Sequence, residues 1–210
     1  MRKRSKFIVF EGVDHCGKTT QLDRAEEFLR KEGQSVLRLR EPGGTAIGEK
    51  IREILLDKEN SNLHPKTELM LFFASRIQLL ETQVEPALRS GKIVLLDRYY
   101  YSSAAYQGVD LFGPNWVLNF AEDWLRLLEP DLVIYLDGDP ELLAARAHGM
   151  PDRIEAKGIS YQKKVRAAYL SMADHRGDLF HTIDATRPID TVWVDVKRSL
   201  SLFVLEGTKN

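Results

Sequence analysis

Eight residues near the start of the chain carry the clearest chemistry: Gly12-Val13-Asp14-His15-Cys16-Gly17-Lys18-Thr19, a full match to GxxxxGK[ST]. Gly12 and Gly17 let the backbone fold so that consecutive N–H groups point inward. Lys18 brings a cation to the β and γ phosphates of a nucleotide, and the Thr19 hydroxyl can ligate Mg²⁺. The motif follows the apolar run Phe7-Ile8-Val9-Phe10 and precedes a helix-patterned stretch that begins near Thr19. The N-terminal partial charge of that helix falls on the same spot, which makes residues 12–20, Thr20 included, a nucleotide phosphate cradle.

Two residues inside the cradle need separate reasons. Asp14 is an acid beside phosphates, where like charges repel, so either something compensates its charge or it is an exposed loop acid with no role. Cys16 lies near a helix N-terminus, a place that can activate a thiol, but a small buried residue that leaves room beside the phosphates is the favoured reading over redox sensing.

The elements that must position these groups alternate. After the first strand, Leu22, Ala25, Phe28 and Leu29 form a helical face that Gly33 can end, and Ser35 to Leu39 reads as a second strand. Ile47, Ile51, Ile54 and Leu55 define an amphipathic helix, and a longer helix runs from about Pro65 to Leu88 with a kink near Pro86. The strand Lys92 to Leu96 follows, then helical segments near 100–128 and the strand Asp131 to Leu136. A helix then opens with Asp139 as N-cap and Pro140 at N1. Leu179 to Ile183 is the last strand, and Ile189, Val192, Val196, Leu200 and Phe203 give the core stripe of a closing helix. Near-continuously apolar strands alternating with helices predict an α/β fold, a parallel sheet with helices on both faces. In such sheets ligands bind outside the carboxyl ends of the strands. Three of those ends are informative: the cradle, Arg40-Glu41-Pro42-Gly43-Gly44-Thr45, and Asp97-Arg98-Tyr99 running on to Gly108.

Taken in order, GVDHCGKTT at 12–20, REPGGT at 40–45, LFFASR at 71–76, DRYYYSSAAYQG at 97–108 and PDRIEAKG at 151–158 resemble the thymidylate kinase family of P-loop nucleoside monophosphate kinases over almost the whole chain. The resemblance implies a three-layer P-loop NTPase fold with a five-stranded parallel sheet. It also implies transfer of the ATP γ-phosphoryl group to thymidine 5′-monophosphate with Mg²⁺, and a homodimer. Phosphoryl transfer needs positioning and charge neutralisation more than a protein nucleophile. Lys18 and a Mg²⁺ on Thr19 and Asp97 would serve the donor. Arg98 is similar to the family arginine that grips the acceptor phosphate; a plain Asp97–Arg98 ion pair is the alternative.

Phe72 and Arg76 share a helical face, where a ring can stack on a base while a guanidinium meets its edge. Arginine only donates, which suits the O4 acceptor of thymine or uracil and opposes the N4 donor of cytosine. Without the family match, Phe72 as core and Arg76 as a snorkelling surface residue would be equally good readings. Ser103 would complete the base contact, Tyr106 resembles the family tyrosine that crowds the 2′ carbon, and Gln107 belongs to the same substrate-facing stretch. Asp14 would accept from the acceptor's 3′ hydroxyl. Tyr169 resembles a family tyrosine near the sugar, though an aromatic on an amphipathic helix is more often core. Residues 145–158 look like a lid, with Arg146 and Arg153 expected as transition-state cations. The chain departs from one branch of the family at His15, where that branch has a catalytic arginine, and it is sparse in the lid arginines of the other branch. His15 either contributes charge beside the phosphates or is a tolerated polar residue.

Bulk properties limit the rest. With 210 residues, 43% hydrophobic content and no compositional boundary, a single domain over residues 1–210 is expected. Thirty basic against thirty-one acidic residues leave no field that favours nucleic acid or an anionic membrane, so the expected partners are small molecules, which the resemblance makes ATP and thymidine monophosphate. The single cysteine precludes an internal disulfide, and neither a bilayer-spanning run nor the apolar part of a signal peptide after MRKRSK is evident, which points to the cytoplasm. Uridylate or deoxyuridylate kinase activity remains a rival, because uracil shares O4. A non-catalytic nucleotide-binding regulator is a second rival, one expected to lose Lys18, Asp97 or Arg98.

Overall fold

The computed structural model describes residues 5–147 and 149–206. Met1 to Arg4 of the opening MRKRSK, and His148 of the lid segment, lie outside the described residues. Five strands, β1 (Lys6–Glu11), β2 (Val36–Arg40), β3 (Ile93–Asp97), β4 (Leu132–Asp137) and β5 (Phe180–Asp184), form one parallel sheet in the order β2-β3-β1-β4-β5. The central β1 is apolar on both faces, Phe7 to Phe10 being at most 1% exposed, because helices cover the sheet above and below. Phe10 and Arg40 both pair with Asp97, while Asp137 pairs with Asp184, so the charged residues that end the apolar runs collect along one sheet edge.

Helix starts follow their local chemistry. In α2 (Ala46–Leu56) the Thr45 hydroxyl accepts from Gly48 N, and in α7 (Pro140–Ala144) Asp139 caps Glu141 N with Pro140 at N1. The first helix, α1 (Lys18–Lys31), is different: Gly17 precedes it in the left-handed region, no side chain caps it and its first turn holds no acid. Its first N–H groups therefore stay available to an anion.

Two expectations need correction. The apolar stripe of α2 does not all face inward: Leu55 is buried, but Ile47 and Ile54 are 55% and 45% exposed, because α2 packs on α3 (Pro65–Leu79) and the far side of the stripe is left outward. The long helix is not one α-helix either. It widens at Leu80–Val84 into a turn with i→i+5 bonding before α4 (Glu85–Arg89), since Pro86 has no N–H and its ring crowds the carbonyl one turn back. Next come α5 (Tyr100–Tyr106) and α6 (Pro114–Asn119), with α8 (Ile159–His175) before β5 and α9 (Ile189–Leu200) after it. No helix among the described residues is long and apolar enough to cross a membrane.

Candidate active site

The strand ends open into a cleft of about 940 Å³, a size suited to small-molecule ligands. Asp14 to Thr20 line it. Gly12 and Val13 do not line it; they lie behind, and their carbonyls accept from Lys18 Nζ at 3.2 and 3.3 Å. Gly12 has φ 150°, and a Cβ there would meet Leu136 O at 2.6 Å and Cys16 Sγ at 2.7 Å, so both its backbone angle and its surroundings demand glycine. Cys16 is buried, and burial pushes its thiol up despite the charges of Lys18 and Arg98, which removes the basis for an activated thiolate.

Asp14 has the compensation that its placement requires. Its carboxylate accepts from Arg98 Nη2 at 2.5 Å and from Gln162 Nε2, on α8, at 2.6 Å. Burial raises its pKa, but Arg98, Lys18 and the Gln162 hydrogen bond outweigh that and hold it below the usual carboxylate range. It is thus not an exposed loop acid. Arg98, in the left-handed region at φ 67°, also donates to Gly12 O at 3.0 Å and to Ser102 Oγ at 3.2 Å. Its ion pair is with Asp14, not with its neighbour Asp97. Asp97 Oδ1 is buried without a hydrogen-bond partner, and Thr19 is exposed on the same cleft. An orphaned carboxylate oxygen and a free hydroxyl, both hard oxygen donors, fit a Mg²⁺ ion.

Farther along the cleft lies a second wall. Phe72 lines it, half-buried, and Arg76 is 1% exposed, so neither the core nor the snorkelling alternative holds. Arg76 donates from Nε to Glu41 Oε2 at 2.7 Å and from Nη1 to Ser103 Oγ at 3.1 Å, and its Nη2 stands 2.6 Å from the same Glu41 oxygen. Burial pushes Glu41 up to about 7 against the pull of Arg76. Tyr106 and Gln107 complete this wall.

The lid arginines are placed differently from expectation. Arg153 is not on the cleft: its Nε donates to Leu55 O at 2.8 Å, and its Nη2 makes a 2.7 Å charge contact with Glu68 that is not aligned as a hydrogen bond. Asp152 caps the N–H groups of Ile154 and Glu155 in a tight turn, and that turn directs Arg153 toward α2 and α3. Arg146 does line the cleft, but its guanidinium is tied to the carbonyls of Ala185 and Thr186 at 2.8 and 3.0 Å, at the loop after β5. His15 lines the cleft at φ 63°, with Nε2 3.8 Å from Glu155 of the lid. Tyr169 is core, not a sugar contact: it is fully buried, its hydroxyl donates to Glu11 at 2.7 Å, and its ring stacks on Tyr135.

Several contributors escaped sequence reasoning. Glu11, fully buried, accepts from Tyr99 N, Ser102 N, Ser102 Oγ and Tyr169, and so fixes the turn that carries Arg98; burial raises its pKa in spite of these donors. A charge closing the buried run of β1 was the available signal. Arg52 lines the cleft and donates to Pro42 O at 3.0 Å. Gln162 gave no local signal, because its partner Asp14 is 148 positions away. Ala185 to Ile189 and Gln21, beside the expected Thr20, line the end of the cleft where Arg146 is tied.

Comparison with known proteins agrees with this geometry. A family model described as thymidylate kinase matches residues 10–196. The thymidylate kinase of Caldanaerobacter subterraneus subsp. tengcongensis is 43% identical over 208 residues, covering 98% of this chain and 99% of that protein. The thymidylate kinases of a Thermoanaerobacter species and of Thermosipho africanus are also 43% identical, over 195 and 196 residues, covering 92% and 91% of this chain and 96% and 95% of theirs. With a cradle, a paired Asp14–Arg98 and a buried arginine in one cleft, and relatives matched over more than nine-tenths of the chain, the chain belongs to the thymidylate kinase family.

Proposed function

We propose that this protein is an ATP:thymidine monophosphate phosphotransferase, moving the γ-phosphoryl group of ATP to thymidine 5′-monophosphate and releasing ADP and the diphosphate. The observation that carries the reading is Arg76, a donor-only group held by Glu41 beside Phe72 and Ser103. Its N–H groups suit the O4 acceptor of a base. Lys18 follows the migrating phosphoryl charge, Arg98 grips the acceptor phosphate, and Asp14, oriented by Arg98 and Gln162, is placed to accept from the sugar hydroxyl. Mg²⁺, held by Thr19 and Asp97, would neutralise charge on the donor phosphates. Lys18, Asp97 and Arg98 all stand on the cleft, which argues against a non-catalytic regulator.

The chain works as one kinase domain over residues 1–210 with a lid near 145–158, in the cytoplasm and as a homodimer. Support for self-association comes from apolar side chains left outward on α2, α3 and the α6 region, among them Ile47, Ile54, Met70, Ile77, Phe112 and Trp116. Exposed apolar side chains on α2 and on α3, which pack on each other, are of the kind that interaction surfaces carry. A coupled assay of ADP release across thymidine, deoxyuridine, uridine, deoxycytidine, adenosine and guanosine monophosphates tests the substrate. Equal use of thymidine and deoxycytidine monophosphates would sink the assignment, while preference for the uracil compounds would move it to the rival kinase.

A further inference from the structure

Two buried acids stand behind the base-facing wall, Glu41 at 4% and Glu68 at 3% exposed. Glu41 accepts from Nε of Arg76 at 2.7 Å and stands 2.6 Å from its Nη2, and Ser103 accepts one hydrogen from Nη1. A guanidinium has five N–H bonds, so one on each terminal nitrogen remains for a ligand. Glu68 acts on the neighbouring residue: its Oε1 takes Gln107 Nε2 at 2.9 Å, with Arg153 at 2.7 Å and Lys157 at 4.0 Å from the same carboxylate. A carboxylate beside two cations accepts, so the Gln107 atom that faces it is the amide nitrogen. Gln107 lines the cleft, and among the described residues no group donates to its Oε1. It sits one helical turn past Ser103, its N–H bonded to Ser103 O at 3.0 Å, and Ser103 is the residue that holds Arg76.

We infer that Glu68 is a positioning residue for base choice: by holding the Gln107 amide with its oxygen toward the cleft, it completes a donor–acceptor pair with Arg76. That pair matches the adjacent O4 and N3–H of thymine or uracil. It opposes the N4 amino group and bare N3 of cytosine at both atoms, so discrimination comes from two mismatches rather than one. The inference rests on the thymidylate kinase reading. Glu68 also anchors the lid through Arg153 and Lys157, and the two roles separate cleanly. A loosened lid lowers turnover with every acceptor, whereas a freed amide changes the ratio between acceptors.

The test compares kcat/KM for thymidine and deoxycytidine monophosphates in wild type, Glu68→Gln, Gln107→Leu and the double variant. A glutamine at 68 offers either a donor or an acceptor, so the Gln107 amide can turn round. Glu68→Gln should lower the thymidine-to-deoxycytidine ratio roughly tenfold, mainly through KM for the acceptor, with KM for ATP unchanged. The double variant should lose no more of the ratio than Gln107→Leu alone. An equal fall for both acceptors with the ratio intact overturns the positioning role and leaves the parent reading standing. Wild type that uses both acceptors equally overturns the parent reading itself, and the inference with it. Should Glu68→Gln fail to fold, Gln107→Leu carries the test: loss of discrimination supports the role, and a wild-type ratio overturns it.

Discussion

The two ends of the cleft are built in opposite ways. The phosphate cradle is made by consecutive residues, Gly12 to Thr20, whose turn and helix start need little beyond the chain's own backbone preferences. The base-facing wall gathers Glu41 from the end of β2, Glu68, Phe72 and Arg76 from α3, and Ser103 and Gln107 from α5 and its C-cap. The cradle leaves the first turn of α1 without a side-chain cap and holds Lys18 Nζ on the carbonyls of Gly12 and Val13, while the wall satisfies most of its polar atoms through its own side chains. On the proposed reading, binding of phosphate would be electrostatic and general, and choice of base would depend on which N–H and which oxygen the internal bonds leave over.

That contrast predicts distinct failures. Lys18→Ala removes the cation that follows the migrating charge, so kcat should fall on the order of 100- to 1,000-fold while nucleotide binding by equilibrium dialysis survives. A near-normal kcat would mean that the cradle is not where transfer occurs. Arg76→Ala should instead raise KM for the acceptor roughly 10- to 100-fold and leave KM for ATP within about twofold. Because it leaves the buried Glu41 without its hydrogen-bond donor, it should also destabilise the fold by about 1–3 kcal/mol in chemical denaturation.

Glu41 gives the wall a pH signature. Folded Glu41 keeps its proton up to about 7, against the ordinary value of 4.5, so the native state binds more protons than the unfolded chain across that window. Its contribution to stability is complete below about 4.5 and lost as pH rises through about 7. The stability difference between wild type and Glu41→Gln should accordingly shrink with rising pH, on the order of 1–3 kcal/mol between those limits. A difference that grows with pH would mean that the Arg76 pair outweighs burial.

The smallest expected effect concerns the lid. With Arg153 bound to Leu55 O and Glu68 rather than facing the phosphates, Arg153→Ala should lower kcat less than about tenfold and raise acceptor-independent ATP hydrolysis, because a loosened lid admits water. A loss of about a hundredfold or more would return Arg153 to the transition state, and with it part of the catalytic charge to the lid.

What the sequence determined by itself was whatever short-range rules decide. Apolar runs, continuous in β1, β3 and β4 and interrupted in β2 and β5, marked the strands, GxxxxGK[ST] marked the cradle, and Asp139-Pro140 marked a helix start, since each depends on neighbours within a turn or a strand length. Motif resemblance added Arg76, Arg98 and Asp14 as site residues. Only the tertiary structure decided which groups meet. Gln162 reaches Asp14 across 148 positions, Tyr169 reaches Glu11 across 158, and Arg153 folds back onto Leu55 across 98. No periodicity encodes such pairings: Tyr169 presents the same helical pattern whether its hydroxyl meets a sugar or a buried acid, and an arginine in a basic lid reads alike whether it faces phosphate or a carbonyl. The outward turn of Ile47 and Ile54 has the same cause, because an apolar stripe records that a face is to be covered and leaves open what covers it.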